Sequence, residues 1–239
     1  ELKTITATTI EISKFVGFDE SKTIIPNEID GKKVVGIGPE AFQKCVGITE
    51  LIISEGIKYI EKNAFSSCSN LARVQFPTTL KKIGTWAFSS TKIETVDLPN
   101  GISKLEDGVF SCCSSLRSVV FPDNLTEIGG SVFSFCKMLR SVALPSSVRI
   151  IGYGAFSGCT SLSQVKLNEG LKEIGGNAFK NCKGLTSMVI PSSVEKFGSK
   201  IFEGAYSFQS INIVLYCYPR SRAIEYARNN NIKIENARS

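Results

Sequence analysis

A phenylalanine preceded by a small or branched residue recurs along most of the chain at a nearly constant interval. Successive copies are 23 residues apart, except for one interval of 22 residues between Phe88 and Phe110. A unit this short cannot bury its own apolar face, so stacked units must share one continuous core. The sequence therefore predicts a solenoid of eight units, whose phenylalanines are Phe42, Phe65, Phe88, Phe110, Phe133, Phe156, Phe179 and Phe202.

Each unit also contains one short strand pattern. In the sixth copy, VRIIGYGAFSGCTSLSQVKLNEG, Val165 and Leu167 alternate with polar residues, which predicts a strand with one buried face. Proline lacks the N–H that a ladder needs, so it closes the strand where it follows one. The prolines in this position are Pro77, Pro99, Pro122, Pro145 and Pro191. Because parallel strands lie about 4.8 Å apart, equivalent residues are expected to form columns along the solenoid.

The segment LPSSVRIIGYGAFSGCTSLSQVKL and its sibling copies resemble the leucine-rich repeat superfamily, and within it the BspA-like (Treponema pallidum-type) family. This resemblance implies a right-handed solenoid with a parallel β-sheet on the concave face. It implies short turns, 3-10 segments or short strands on the convex face. One departure concerns the asparagine ladder of commoner leucine-rich repeats, because its place is taken here by Thr79 and Ser147.

We expect one continuous domain in three parts, and the two caps lead us to expect that it is complete. Residues 1–34 form an N-terminal β cap, residues 35–214 form eight repeats of about 23 residues, and residues 215–239 form a C-terminal cap. Asp30-Gly31 predicts a hairpin turn in the first cap. Ser221 is a candidate N-cap for a short helix in the second. The residues on one side of that helix are Ala223, Ile224, Tyr226 and Ala227.

The cysteines are the main candidates for chemistry, because the chain has eight cysteines and no histidine. Without histidine, Ser-His-Asp and Cys-His catalysis and histidine-bearing metal sites are excluded. Six cysteines lie three residues after a repeat phenylalanine, where disulfides, metal ligands and a nucleophile are conceivable roles. We favour a ladder of small buried hydrophobic residues, since side chains of one column run parallel and suit disulfide geometry poorly. These are Cys45, Cys68, Cys113, Cys136, Cys159 and Cys182, while Cys112 is expected to be exposed.

The remaining composition argues against several classes of function. The net charge of +6 is scattered, so it is typical of a soluble surface and does not indicate nucleic-acid binding. No apolar run is long enough to cross a bilayer. The carboxylates do not converge in a recognisable acid–base arrangement, and the paired glycines lack the lysine of a phosphate loop. The sequence thus predicts no enzyme, no cofactor, no metal site and no membrane insertion.

The outward strand positions vary, whereas the core positions do not. The central outward column reads Ile52, Gln75, Asp97, Val120, Ala143, Lys166, Val189 and Asn212. Apolar and arginine side chains together are typical of a protein interface, although strands also favour such residues for reasons of fold alone. The candidate partner-binding residues are Arg73, Gln75, Trp86, Asp97, Arg117, Val120, Arg140, Ala143 and Lys166.

Two functions are compatible with this pattern. The family resemblance implies a secreted or cell-surface adhesion protein that binds host or matrix proteins. We expect the concave face to be its binding face, the chain to be a monomer, and its signal peptide to have been removed. The alternative is an intracellular scaffold or inhibitor that uses the same face. An enzyme would need a converging polar cleft, which the sequence does not indicate.

Overall fold

The structure is a computed structural model that describes residues 1–15, 21–204, 206–207, 210–211 and 213–237. Its elements in chain order are β1 (Leu2–Thr6), β2 (Thr9–Ile12), β3 (Lys22–Ile25), β4 (Glu28–Ile29), β5 (Lys32–Ile37), β6 (Glu50–Ile53), β7 (Tyr59–Ile60), β8 (Arg73–Gln75), β9 (Lys82–Ile83), β10 (Thr95–Asp97), β11 (Lys104–Leu105), β12 (Ser118–Val120), β13 (Glu127–Ile128), β14 (Ser141–Ala143), β15 (Ile150–Ile151), β16 (Gln164–Lys166), β17 (Glu173–Ile174), β18 (Ser187–Ile190), β19 (Lys196–Phe197), β20 (Tyr206–Ser207), β21 (Ser210–Ile211), β22 (Val214–Cys217), α1 (Arg222–Asn229) and β23 (Lys233–Asn236).

Two sets of strands, paired mainly in parallel, run along the solenoid. Sheet I has the ladders β3-β6-β8, β10-β12, β14-β16 and β18-β22-β23, and it includes the alternating strand predicted for the sixth copy, β16. Sheet II has the ladders β1-β2-β5-β7-β9 and β11-β13-β15-β17-β19, in which β1 pairs antiparallel with β2 and the strands from β7 onwards are two residues long. Equivalent residues of successive repeats pair directly, as Val142 does with Val165. The expected parallel β-solenoid with short strands on its second face is confirmed.

The repeat phenylalanines form one continuous stack through the core. Neighbouring ring centroids from Phe42 to Phe202 are 5.0 to 5.9 Å apart, with interplanar angles of 2 to 16°. This is the geometry of offset aromatic stacking. The stack begins one ring earlier than the repeat pattern indicates, at Phe15, which lies 5.0 Å from Phe42. At the other end the ring of Tyr226 meets Phe202 edge-on, with centroids 6.5 Å apart.

The turn around each phenylalanine has a backbone conformation that the sequence did not reveal. The residues two before and two after the phenylalanine both have left-handed φ values, for example 59° at Trp86 and 58° at Ser90. A non-glycine residue in this region costs roughly 1–2 kcal/mol. The positions are Glu40, Lys44, Asn63, Ser67, Trp86, Ser90, Gly108, Cys112, Ser131, Phe135, Gly154, Gly158, Asn177, Asn181, Lys200 and Gly204.

Hydrogen bonds between repeats offset this strain. The N–H groups of Trp86, Phe88 and Ser90 donate to carbonyls of the next repeat over 2.9, 2.9 and 2.8 Å. The equivalent residues of the following repeats donate the same three hydrogen bonds. Successive turns are therefore joined by backbone hydrogen bonds, as neighbouring strands of a sheet are. Because a buried unpaired N–H is costly, this turn has little freedom to change its conformation.

Hydroxyl groups replace the missing asparagine ladder. Thr79 Oγ1 donates to the carbonyl of Ile57 over 2.9 Å, and Ser147 Oγ donates to that of Leu125 over 2.6 Å. Ser193 repeats the contact two units later, with the carbonyl of Leu171 at 2.8 Å. Each hydroxyl therefore satisfies a carbonyl of the preceding turn.

The interval of 22 residues reflects one residue lost from the loop after the phenylalanine. The third repeat has TKI at 91–93 where the second has CSNL at 68–71. Sheet II divides in the same region, between β9 and β11.

The N-terminal segment contains the predicted hairpin. Strands β4 and β5 pair antiparallel around Asp30 and Gly31, whose φ values are 51° and 72°. The segment also extends the solenoid, because β2 pairs parallel with β5 and β3 pairs parallel with β6. The boundary at residue 34 stays a prediction.

The C-terminal helix packs over the end of the core. Ala223 and Ala227 are buried, and the hydroxyl of Tyr226 accepts a hydrogen bond of 3.2 Å from the N–H of Ile201. Ser221 is the N-cap residue of the helix, as expected, although its hydroxyl forms no capping hydrogen bond. The hydroxyl oxygen is buried and forms no hydrogen bond with the described residues.

We expect Phe156→Ala to lower the free energy of unfolding by about 3–5 kcal/mol, because its ring is buried between two others. Phe135→Ala is the matched control, since that ring is 48% exposed and outside the stack. It should cost no more than about 1 kcal/mol. Urea denaturation followed by circular dichroism measures both, and equal losses would contradict a core held by the stack.

A second prediction concerns Gly158, which lies against the ring of Phe135. A Cβ added at Gly158 would lie 2.7 Å from the Phe135 ring, and Gly158 has a φ of 76°. Gly158→Ala should therefore destabilise the protein by about 2–3 kcal/mol. Both the clash with the Phe135 ring and the strain of a left-handed φ at alanine contribute to this loss. In a Phe135→Ala background the cost should fall to about 1 kcal/mol. A cost unchanged by that background would show that the ring does not contact the glycine.

Candidate functional site

The cysteine column is part of the core. Cys68, Cys113, Cys136, Cys159 and Cys182 are fully buried. Each thiol donates to the phenylalanine carbonyl of the preceding repeat, as Cys159 Sγ does to Phe133 over 3.1 Å. Burial raises the pKa of Cys113 to about 11 and that of Cys182 to about 12. Because the thiolate is the nucleophile, these thiols are poorly reactive at neutral pH.

Three positions depart from this simple column. Thr91 occupies the place of a cysteine in the shortened repeat, and its hydroxyl donates to the Phe88 carbonyl over 3.0 Å. Cys45, expected to be buried, is only half-buried because it lies in the first unit. Cys112 is exposed, as expected, and the eight cysteines, all within the described residues, form no disulfide.

The described residues offer no alternative centre for chemistry. Among them, no group of three or more cysteine, aspartate and glutamate side chains is placed to hold a metal ion. The carboxylates instead pair with neighbouring repeats, as Glu127 does with Lys104 at 3.1 Å. Within the same residues no helix has the length and apolar character needed to traverse a lipid bilayer.

The outward side chains of sheet I form the candidate surface, which we call the sheet I surface. Register places Asp97 beside Val120 and Ala143 beside Lys166. Val120 is 59% exposed, a high value for a valine in a sheet. Arg73, Gln75, Asp97, Val120, Ala143 and Lys166 lie in its strands and Arg117 and Arg140 directly before β12 and β14, all of them exposed.

The arginines of this surface fall into two kinds. Arg73 Nη2 lies 3.2 Å from Glu50 Oε2, and Lys22 lies 3.5 Å from the same carboxylate. The hydrogen bond from Arg73, with help from Lys22, lowers the pKa of Glu50. Within the part of the chain that the structure describes, Arg117 and Arg140 have no such partner. They are therefore available to a ligand.

Trp86 does not belong to the sheet I surface. It lies in the turn beside the phenylalanine stack, 37% exposed, and its ring covers Gly108 of the next repeat. A Cβ at residue 108 would lie 2.3 Å from that ring. The structure thus separates this candidate from the others.

Sequence reasoning missed Tyr216, which extends the surface towards its C-terminal end. Tyr216 pairs in register with Val189, where the predicted column continued with Asn212. The register interval there is 27 residues, four more than the repeat, so the pattern alone pointed to the wrong residue. Asn212 itself lies outside the described residues. A shallow groove of about 500 Å³ is lined by Ser141, Ala143, Lys166, Val189 and Tyr216 among others.

The repeat geometry can now be compared with known proteins. Residues 35–151 and 132–236 match the BspA type leucine-rich repeat region, in six copies. The chain belongs to the BspA-type leucine-rich repeat family. The resemblance seen in the sequence is confirmed.

Solved leucine-rich repeat structures share the fold. The crystal structure of a T. pallidum leucine-rich repeat protein is 27% identical, with a TM-score of 0.63, over 100% of this chain and 96% of that chain. A leucine-rich cell surface protein from Faecalibacterium prausnitzii A2-165 is 19% identical, with a TM-score of 0.51, over 99% and 96% of the two chains. The second likeness concerns the fold alone. None of the curated proteins compared with the chain matches it.

Thiol labelling tests the two classes of cysteine. We expect Cys112 to react with a thiol reagent in the native protein, because it is exposed, and Cys159 to react only after unfolding. Mass spectrometry of digested, labelled protein identifies the modified residue. Cys112→Ser should abolish the fast native reaction, and rapid labelling of Cys159 in native conditions would contradict a buried column.

Proposed function

We propose that this chain is a non-enzymatic protein-binding module of the cell surface or the extracellular space, with the sheet I surface as its binding face. The observation that carries the proposal is the contrast between fixed and varied columns. The inward side chains of sheet I repeat one chemistry, while the outward side chains beside them change from strand to strand. A rigid backbone with freely varied outward positions is what repeat solenoids offer to recognition.

The composition of the central strands supports binding to protein. Val120 and Val189 are 59% and 49% exposed, and the exposed Arg117 and Arg140 directly precede β12 and β14 of the same surface. Apolar, aromatic and arginine side chains contribute most of the energy of protein interfaces. The partner class we propose is a host surface or matrix protein, bound by a monomer.

The absence of catalysis and the location are parts of the same proposal. Burial raises the pKa of Cys113 to about 11 and that of Cys182 to about 12, so these core thiols are poor nucleophiles at neutral pH. The proposed location is carried by the family resemblance. The F. prausnitzii protein is itself described as a cell surface protein, which is consistent with this location.

The alternative of an intracellular scaffold or inhibitor has one observation in its favour. The eight cysteines, which the structure describes in full, form no disulfide, and this is the state that a reducing cytosol maintains. Buried thiols of this kind also persist outside cells, because an oxidant cannot reach them. Location therefore has to be measured.

Binding is tested with a pair of matched variants. Purified chain is immobilised and a panel of purified host surface and matrix proteins is passed over it in surface plasmon resonance. We expect Val120→Glu to weaken any specific interaction by at least about tenfold, because it places a charge in the apolar centre of the face. Val46→Glu is the control, since Val46 is 52% exposed but lies outside sheet I. Equal losses in both variants would exclude sheet I as the face.

Location is tested on intact source cells with an antibody raised against the purified chain. We expect the antibody to label intact cells, and protease added outside to remove the signal. Detection in the cytosolic fraction alone would support the scaffold and overturn the extracellular part of the proposal.

A further inference from the structure

The positive charges at the centre of the sheet I surface differ from those at its N-terminal end. Arg73 and Lys22 share the carboxylate of Glu50, at 3.2 and 3.5 Å. Arg117 and Arg140 are equally exposed, yet in the described ranges no carboxylate pairs with either guanidinium. Arg73 is thus held in an ion pair, whereas Arg117 and Arg140 form none with the described residues. This is so although Glu94 precedes β10 at the position equivalent to Arg117.

Arg117 and Arg140 also oppose each other. They occupy the same position of consecutive repeats, directly before β12 and β14. β12 and β14 are neighbours along the solenoid, although they belong to different ladders. Like charges at equivalent positions of neighbouring strands repel each other. A ligand explains this pair better than the fold does.

The side chains around the pair specify the ligand chemistry. The guanidinium fork binds carboxylates in bidentate geometry. Val120 offers an exposed apolar contact beside Arg117, and Lys166, paired with Ala143, extends the positive charge by one strand. Carboxylates combined with an apolar side chain are the features of an acidic stretch of protein.

Two acidic residues limit the site on its N-terminal side. Glu94 lies directly before β10, and Asp97 lies within it beside Val120. The segments 94–97, 117–120, 140–143 and 163–166 together hold three basic and two acidic side chains. A nucleic acid or sulfated polysaccharide, negative along its whole length, would be repelled by these carboxylates. A protein segment with a basic end, an apolar middle and an acidic end would match them.

We propose that the sheet I surface from β10 to β16 binds a mixed-charge segment of a partner protein. Carboxylates of that segment contact Arg117 and Arg140, its apolar residue contacts Val120, and its basic residue contacts Asp97. This proposal rests on the proposed function, because it names the chemistry of the partner at the same face.

The test uses fluorescein-labelled synthetic peptides and fluorescence anisotropy at low salt. The matching peptide carries a lysine block, a valine block and a glutamate block in that order, and a scrambled peptide has the same composition. We expect Arg117→Glu/Arg140→Glu to weaken the matching peptide by at least about tenfold. Lys58→Glu/Lys81→Glu is the matched control, because these exposed lysines also occupy one position of consecutive repeats but lie beside sheet II. It should change binding by less than about twofold, since screening limits distant charges.

Several outcomes would overturn the proposal. These are equal loss in the control variant, tighter binding of the scrambled peptide or of a heparin oligosaccharide, and no binding of the matching peptide up to millimolar concentration. Arg117→Gln/Arg140→Gln separates binding from folding, because removing the repulsion should leave the melting temperature unchanged or higher. A lower melting temperature of this variant would show that the two arginines stabilise the fold. If Val120→Glu abolishes the binding of a panel protein but Arg117→Glu/Arg140→Glu does not, the proposed function stands and the mixed-charge segment is excluded.

Discussion

The structure depends on hydrogen bonds that pass from one repeat to the next at the phenylalanine turn. In the third repeat, Trp86, Phe88 and Ser90 each donate a backbone N–H to the following unit. Two of these three residues must adopt left-handed φ to do so. The bonds fix the register of neighbouring units, and register in turn places the phenylalanine rings over one another. The aromatic stack, the thiol column and both sheets all require this alignment.

The same alignment explains why the outward residues of the sheet I surface can vary while the core residues cannot. Core columns are constrained from above and below, so Phe156 and Cys159 have little freedom to vary. Outward positions are constrained by neither neighbour, because their side chains point into solvent. Where the fold uses them for stability, as with Arg73 and Glu50, it forms an ion pair across strands. Among the described residues Arg117 and Arg140 form no such ion pair, which is why we propose them for recognition.

Sequence periodicity predicted the elements whose cause is periodic. The repeat phenylalanines, the cysteine column and the Asp30-Gly31 hairpin follow from spacing and turn chemistry. Periodicity failed where the interval changed. Phe15 extends the stack from a segment outside the repeat, Thr91 stands in for a cysteine beside a deletion, and four additional residues displace Tyr216 along the sequence. The ion pairing that distinguishes Arg73 from Arg117 depends on side-chain geometry, which the residue types alone do not reveal.

The residue missing from the third repeat has a mechanical consequence. Sheet II is divided there, while the phenylalanine stack itself continues. In a nearly one-dimensional protein, cooperativity is transmitted only through contacts between neighbours. At this junction it is therefore transmitted by the backbone hydrogen bonds of the phenylalanine turn and by the pairing of β10 with β12, which keep the solenoid continuous where sheet II is interrupted.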